Sequence, residues 1–132
     1  MNIKTSQYLV EEAKKKITTL LAKDVKKLHE RGEIKLIDVR DIRELWKEGT
    51  IKDSIHIPRG MLEFWLDPES SYFKERKIGE IKNIVLFCAL GLRSALATKS
   101  LIDMGFENVA HVDGGFDALK SVGLKVIQKE KK

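Results

Sequence analysis

Only one cysteine, Cys88, occurs among the 132 residues. No disulfide can form within the chain, which fits a reducing compartment, and no second thiol is available to resolve a bond made at Cys88. No zinc pattern exists with one cysteine, and His29 and His111 lack a partner at metal-ligand spacing, so no metal is expected. Long apolar runs are also missing. The longest, Ile84 to Leu90, is too short to span a bilayer. Met1 to Gln7 hold no apolar h-region, so the expectation is a cytoplasmic chain without a secretory signal. Aromatic residues make up only 7%, and none is interleaved with the basic clusters Lys14-Lys15-Lys16, Lys26-Lys27 and Lys129 to Lys132. The net charge of +5 therefore reads as solvated surface, with neither nucleic acid nor membrane expected as a partner. Its milder consequence is a field that draws small anions.

The chain is long enough for one domain with a substantial core and too short for two. Helical spacing of Leu9-Val10, Ala13 and Ile17 predicts a helix over Ser6 to Lys16. Further helices are expected over Asp24–Arg31, Asp41–Glu48, Arg93–Met104 and Phe116–Val122, with Gly32, Gly49 and Gly105 closing the first three. Strands are expected at Leu36–Val39, Ile55–Ile57, Ile84–Cys88 and Val109–Val112. Strands alternating with helices predict an α/β domain, with a parallel sheet covered by helices on both faces. The segment 60–79 is irregular and rich in aromatics. It reads either as a wall of a site or as a loop packed on its own side chains.

Chemistry concentrates in Cys88-Ala89-Leu90-Gly91-Leu92-Arg93-Ser94, between the strand Ile84 to Phe87 and a helix. Ligands of open parallel sheets bind outside the carboxyl ends of strands, and Cys88 is at such an end. Amides at a helix start carry partial positive charge. With the Arg93 guanidinium they favour the thiolate, the nucleophilic form, so Cys88 is expected to ionise below the free value of about 8.5. Gly91 permits the tight curl that such a loop requires.

These seven residues resemble the active-site loop of the rhodanese family, Cys-x-x-Gly-x-Arg-Ser. Leu36-Ile37-Asp38-Val39-Arg40 is similar to that family's first signature strand. Gly49-Thr50-Ile51 with Ile55-His56-Ile57-Pro58 resembles its second signature, and Val112-Asp113-Gly114-Gly115-Phe116 its C-terminal segment. The resemblance implies a single rhodanese-like domain over 18–124, with a central parallel sheet of about five strands. A helical extension over 1–17 would precede it, and a basic tail over 125–132 would follow. It further implies sulfur transfer through a Cys88 persulfide cradled by Ala89, Leu90, Gly91, Leu92, Arg93 and Ser94. The donor would be a small sulfur-bearing anion such as thiosulfate, and the acceptor a thiol, cyanide or a partner protein. No cofactor is implied. Two alternatives stand beside this reading. One is a cysteine phosphatase or arsenate reductase, whose pattern is Cys-x5-Arg where this chain has four intervening residues. The other is a sulfur-relay module with little turnover of its own.

Arg59 follows a strand end beside the loop and reads equally as a second anion contact or as a salt-bridge partner. Asp38 and Arg40 read as a structural pair, engaged with Arg43, Glu44 or a helix start. His56 reads as a satisfied core histidine, Trp46 and Trp65 as core or edge aromatics, and Gly114-Gly115 as a turn. Many family members carry tryptophan where this chain has Leu119, a change expected to affect packing rather than chemistry.

Overall fold

The structure, a computed structural model, describes residues 2–76 and 82–131. Its centre is a five-stranded sheet built from β1 (Thr18–Leu20), β2 (Lys35–Asp38), β4 (Ile55–His56), β5 (Ile84–Phe87) and β6 (Val109–Val112). The order is β1-β6-β5-β2-β4, and every pairing is parallel. A second small sheet joins β3 (Thr50–Ile51) to β7 (Val126–Ile127) in antiparallel fashion.

Period-two alternation along the apolar strands feeds two cores, one on each face of the sheet. Ile84, Leu86 and Cys88 fall in one buried cluster with Ile37, Val39, Leu62 and Leu101. Val85 and Phe87 fall in the other with Leu36, Val25, Phe116 and Leu119. The first face is covered by α4 (Leu62–Leu66) and α6 (Leu92–Asp103), with α1 (Ser6–Lys14) packed on α6. The second is covered by α2 (Ala22–Glu30) and α7 (Gly115–Ser121). Each large apolar side chain withdrawn from water in these layers contributes about 1.5–3 kcal/mol before chain entropy is set against it. Leu119 is fully buried within the second cluster, so the residue that departs from the family pattern belongs to packing.

Helix starts follow from local sequence. Thr5 caps α1 through a hydrogen bond donated by the Tyr8 amide. Asp41 and Glu44 form a reciprocal capping box at the start of α3 (Ile42–Glu48). Part of the aromatic segment 60–79 is helical: a 3-10 turn at Arg59–Met61 leads into α4, and α5 (Ser71–Arg76) follows. Residues 67–70 between them form a turn, and 77–79 lie outside the described residues.

Three short strands have no counterpart among the strands expected from sequence. β1 adds an edge beside β6, whereas β3 and β7 pair across most of the chain. The stretch read as a basic tail over 125–132 therefore begins in a strand. A side chain at Gly49 would come within 2.5 Å of the Ile127 carbonyl oxygen, so Gly49 is what lets β7 approach. Among the described residues, no helix is long and apolar enough to cross a membrane.

Candidate active site at the carboxyl end of the central strand

Cys88 follows β5 directly and is buried, with 1% of its surface exposed. Its Sγ accepts hydrogen bonds from the amides of Gly91 at 3.1 Å and Ser94 at 3.4 Å. The chain must double back within three residues to make this cradle. Gly91 has φ of +108°, a conformation that strains any residue with a Cβ. The amides of Leu92 and Arg93, in the first turn of α6, have no partner among the described residues. Helix-start donors of this kind favour negative charge in front of them.

The loop is held from behind by the start of α7. The Phe116 amide donates to the Cys88 carbonyl oxygen at 2.8 Å. A Cβ on Gly115 would meet the carbonyl oxygens of Cys88 and Ala89 at 2.5 and 2.6 Å, so only glycine permits this approach. Gly114-Gly115 does make the expected turn, and the same turn braces the cysteine loop. At the loop's outer surface Leu90 and Leu92 are 63% and 57% exposed.

Arg93 does not stand alone. Its guanidinium forms a bidentate fork with Glu44, at 2.7 Å from Nη1 to Oε2 and 2.9 Å from Nη2 to Oε1. Glu44 is itself fixed by the capping box, through the Asp41 amide at 3.0 Å. Arg93 is the main influence holding the Glu44 carboxyl below its usual range, against burial that pushes it up. Reciprocally, Glu44 raises Arg93, with the charge of Cys88 adding to the effect. Three of the five guanidinium N–H donors lie outside this fork.

Behind the sulfur, Ser94 Oγ lies 3.6 Å from Sγ and 3.0 Å from His111 Nδ1. His111 Nε2 lies 2.9 Å from Thr19 Oγ1. Burial pushes His111 down to about 4, aided by the positive charge of Lys14 and opposed by Asp113, so the ring is neutral at physiological pH. The cap position of α6 is Gly91, and the Ser94 side chain contacts Sγ and His111.

The remaining candidates are structural or lie to the side. Arg40 is completely buried, as is Asp38. Arg40 Nε and Nη2 fork onto the Asp38 carboxylate, Nη2 also donates to the Gly49 carbonyl at 2.7 Å, and the guanidinium lies over the Phe116 ring at 4.1 Å. The structural reading of this pair holds, but the partners are each other rather than Arg43 or Glu44. His56 Nε2 donates to the Arg40 carbonyl oxygen at 2.7 Å and is satisfied as expected. For Arg59, the structure contains the salt-bridge alternative: its Nη1 contacts Glu63 at 2.9 and 3.1 Å. Among the described residues no hydrogen bond or ion pair joins the Arg59 side chain to the cysteine loop.

Glu44, His111 and Thr19 are the site neighbours that sequence reasoning missed. Glu44 carried a signal, since Asp41-x-x-Glu44 is a capping box at the carboxyl end of β2. His111 alternates with Val109 and so faces α6, as Leu86 and Cys88 do. Thr19 sits in the β-branched run Ile17-Thr18-Thr19, which marks the missed edge strand. Beside Arg93 a cleft of about 590 Å³ opens between α1 and α6, lined by Val10, Lys14, Leu92 and Leu96.

Fold and loop together define a class: an open parallel α/β domain presenting one cysteine to backbone amides at a helix start. The chain belongs to the rhodanese-like domain family, whose pattern matches residues 21–121. A mouse relative, thiosulfate sulfurtransferase/rhodanese-like domain-containing protein 3, is 33% identical over 98 residues, covering 71% of this chain and 62% of that protein. A structure from Rhodopseudomonas palustris, described as a protein of unknown function and possible tyrosine phosphatase, is 40% identical. It superposes with a TM-score of 0.85 over 96% of this chain and 97% of that one. The polysulfide-sulfur transferase homodimer of Wolinella succinogenes is 35% identical, with a TM-score of 0.70 over 92% of this chain and 85% of that one. Other relatives carry the name tRNA uridine(34) hydroxylase, and the chain spans 26% of the one from Photorhabdus laumondii.

Proposed function

We propose that the chain is a sulfurtransferase that carries sulfur as a persulfide on Cys88. The observation that carries this reading is the sulfur itself, seated 3.1 and 3.4 Å from two loop amides at the start of α6. In the first half-reaction the Cys88 thiolate attacks the sulfane sulfur of thiosulfate or a similar donor. An S–S bond forms to Cys88, the donor's own S–S bond breaks, and sulfite leaves with the electron pair. The new outer sulfur is anionic, and the loop amides of Ala89, Leu90, Leu92 and Arg93, which donate to no other group among the described residues, are the donors that stabilise it. In the second half-reaction a thiolate or cyanide attacks that outer sulfur and the Cys88 thiolate returns. The cycle is covalent and ping-pong. Arg93 steers and orients the donor through the N–H groups that Glu44 leaves free. Arg59, whose Nη1 is held by Glu63, adds to the surrounding positive field and keeps its other N–H donors for a second anion contact.

The phosphatase reading draws on the description of the Rhodopseudomonas structure. Against it stands loop length, since four residues between Cys88 and Arg93 make a cradle one residue tighter than Cys-x5-Arg. Parallel assays of thiosulfate:cyanide sulfur transfer and aryl phosphate hydrolysis separate the two. Thiosulfate turnover abolished by Cys88→Ser, with negligible phosphate release, is the expected outcome. Efficient phosphate release from the unmodified chain would overturn the reading.

A further inference from the structure

Cys88 is buried, and among the described residues the hydroxyl hydrogen-bonded to its sulfur belongs to Ser94. From Ser94 the contacts continue without a gap: Oγ to His111 Nδ1 at 3.0 Å, then Nε2 to Thr19 Oγ1 at 2.9 Å. Thr19 lies on the exposed edge strand β1, in register with His111. The chain thus runs from a buried sulfur to solvent through groups that each donate one proton and accept one.

We propose that Ser94, His111 and Thr19 form a proton path connecting Cys88 to the surface, and that its direction reverses when the sulfur changes charge. With Cys88 as a thiol, the Gly91 and Ser94 amides already donate to Sγ, so the S–H donates to Ser94 Oγ. Ser94 O–H then donates to His111 Nδ1, and His111 Nε2–H donates to Thr19 Oγ1. Ionisation moves each proton one place outward. The thiol proton goes to Ser94, the Ser94 proton to Nδ1, the Nε2 proton to Thr19, and the Thr19 proton to water. The thiolate is left accepting from Ser94 O–H, and His111 has changed from its Nε2–H to its Nδ1–H tautomer without becoming charged. The charged groups facing this path are Lys14 from α1 and Asp113 after β6, both acting on His111, and Arg93 of α6, acting on Cys88. The depressed affinity of His111 for a second proton agrees with a neutral relay. The path deepens the reading of Cys88 as a sulfur nucleophile and rests on it, because only a sulfur that cycles through the thiolate uses such an exit.

Nitrogen-15 NMR of His111 tests the path. Nδ1 and Nε2 shifts are recorded across the pH range in which ultraviolet thiolate absorbance reports Cys88 ionisation. The expected result is Nε2–H on the thiol side and Nδ1–H on the thiolate side, with the exchange following the absorbance. Cys88→Ser supplies a neutral reference at any pH and should hold the Nε2–H form where the wild-type thiolate shows Nδ1–H. In Ser94→Ala the tautomer should no longer follow the absorbance. One tautomer throughout the wild-type titration, or the same tautomer in Cys88→Ser and the thiolate form, would overturn the path. Sulfur transfer is assayed separately. Transfer with a fixed tautomer refutes the path alone, and a tautomer exchange without transfer refutes the sulfurtransferase reading alone.

Discussion

Arg40 and Arg93 each fork onto a carboxylate near Cys88, and they do opposite work. Arg40 is sealed between Asp38, the Gly49 carbonyl and the Phe116 ring, with neither partner of its ion pair exposed. Arg93 pairs with Glu44 at a rim where their side chains remain 41% and 28% exposed. The first pair cannot be dissected without stranding a charge in the core, while the second exchanges partners with water and anions at little cost. The same contact, placed at two depths, is a rivet in one case and an adjustable ligand in the other.

The sharpest way to break this comparison is Arg40→Ala. It leaves Asp38 buried and uncompensated, and should destabilise the fold by about 3–5 kcal/mol in a urea unfolding curve. A change under about 1 kcal/mol would place Arg40 with Arg93.

His111 extends the contrast to a group kept neutral by burial. Its affinity for a proton is lowered in the folded state from 6.5 to about 4, so the unfolded chain binds more protons between those values. Stability should be fully present above the unfolded value and fall as pH drops from about 6.5 to about 4, by about 3 kcal/mol. His111→Gln, neutral at every pH, should lack that component. Parallel stability-versus-pH curves for the two proteins would contradict the assignment.

Arg93→Ala should do little to stability, less than about 1 kcal/mol. Its effect belongs in kcat/KM for thiosulfate, a loss of roughly 10- to 1000-fold, or about 1.5–4 kcal/mol. Arg93→Lys should recover part of it, because an ammonium lacks the planar fork. Wild-type kinetics in both variants would move the anion site away from this rim.

Glu44→Gln gives the smallest effect, a stability loss of up to about 1 kcal/mol from the weakened pair and capping box. Because pairing lowers the Glu44 carboxyl, that contribution is present above the ordinary carboxylate range and is lost as pH falls through the lowered value. The difference between wild type and Glu44→Gln should therefore shrink in acid. A difference that grows in acid would mean the pair is not what Glu44 supplies.

The same division of depth explains what could be read in the sequence. Cys88, Gly91 and Arg93 were legible because a helix-start cradle is local and a few consecutive residues specify it. The strand Ile84 to Phe87 was legible because burial on both faces leaves an unbroken apolar run, and Leu36 to Val39 because a single acid, Asp38, is all that interrupts one. Glu44 and His111 were not, since their partners lie 49 and 17 residues away and only the sheet brings them together. β3 and β7 escaped because two residues carry no periodicity, and their pairing joins distant parts of the chain. Arg59 showed the limit from the other side. Position beside a loop was visible and left two equal readings, and the salt bridge to Glu63 one turn on appears only in the fold.

The central claim is that sulfur resides covalently on Cys88, and intact-protein mass spectrometry reads it directly. After incubation with thiosulfate the wild-type chain should gain the mass of one sulfur atom, and cyanide should remove it, whereas Cys88→Ala should gain nothing. A wild-type chain that gains no sulfur, or a gain that survives Cys88→Ala, would contradict the account.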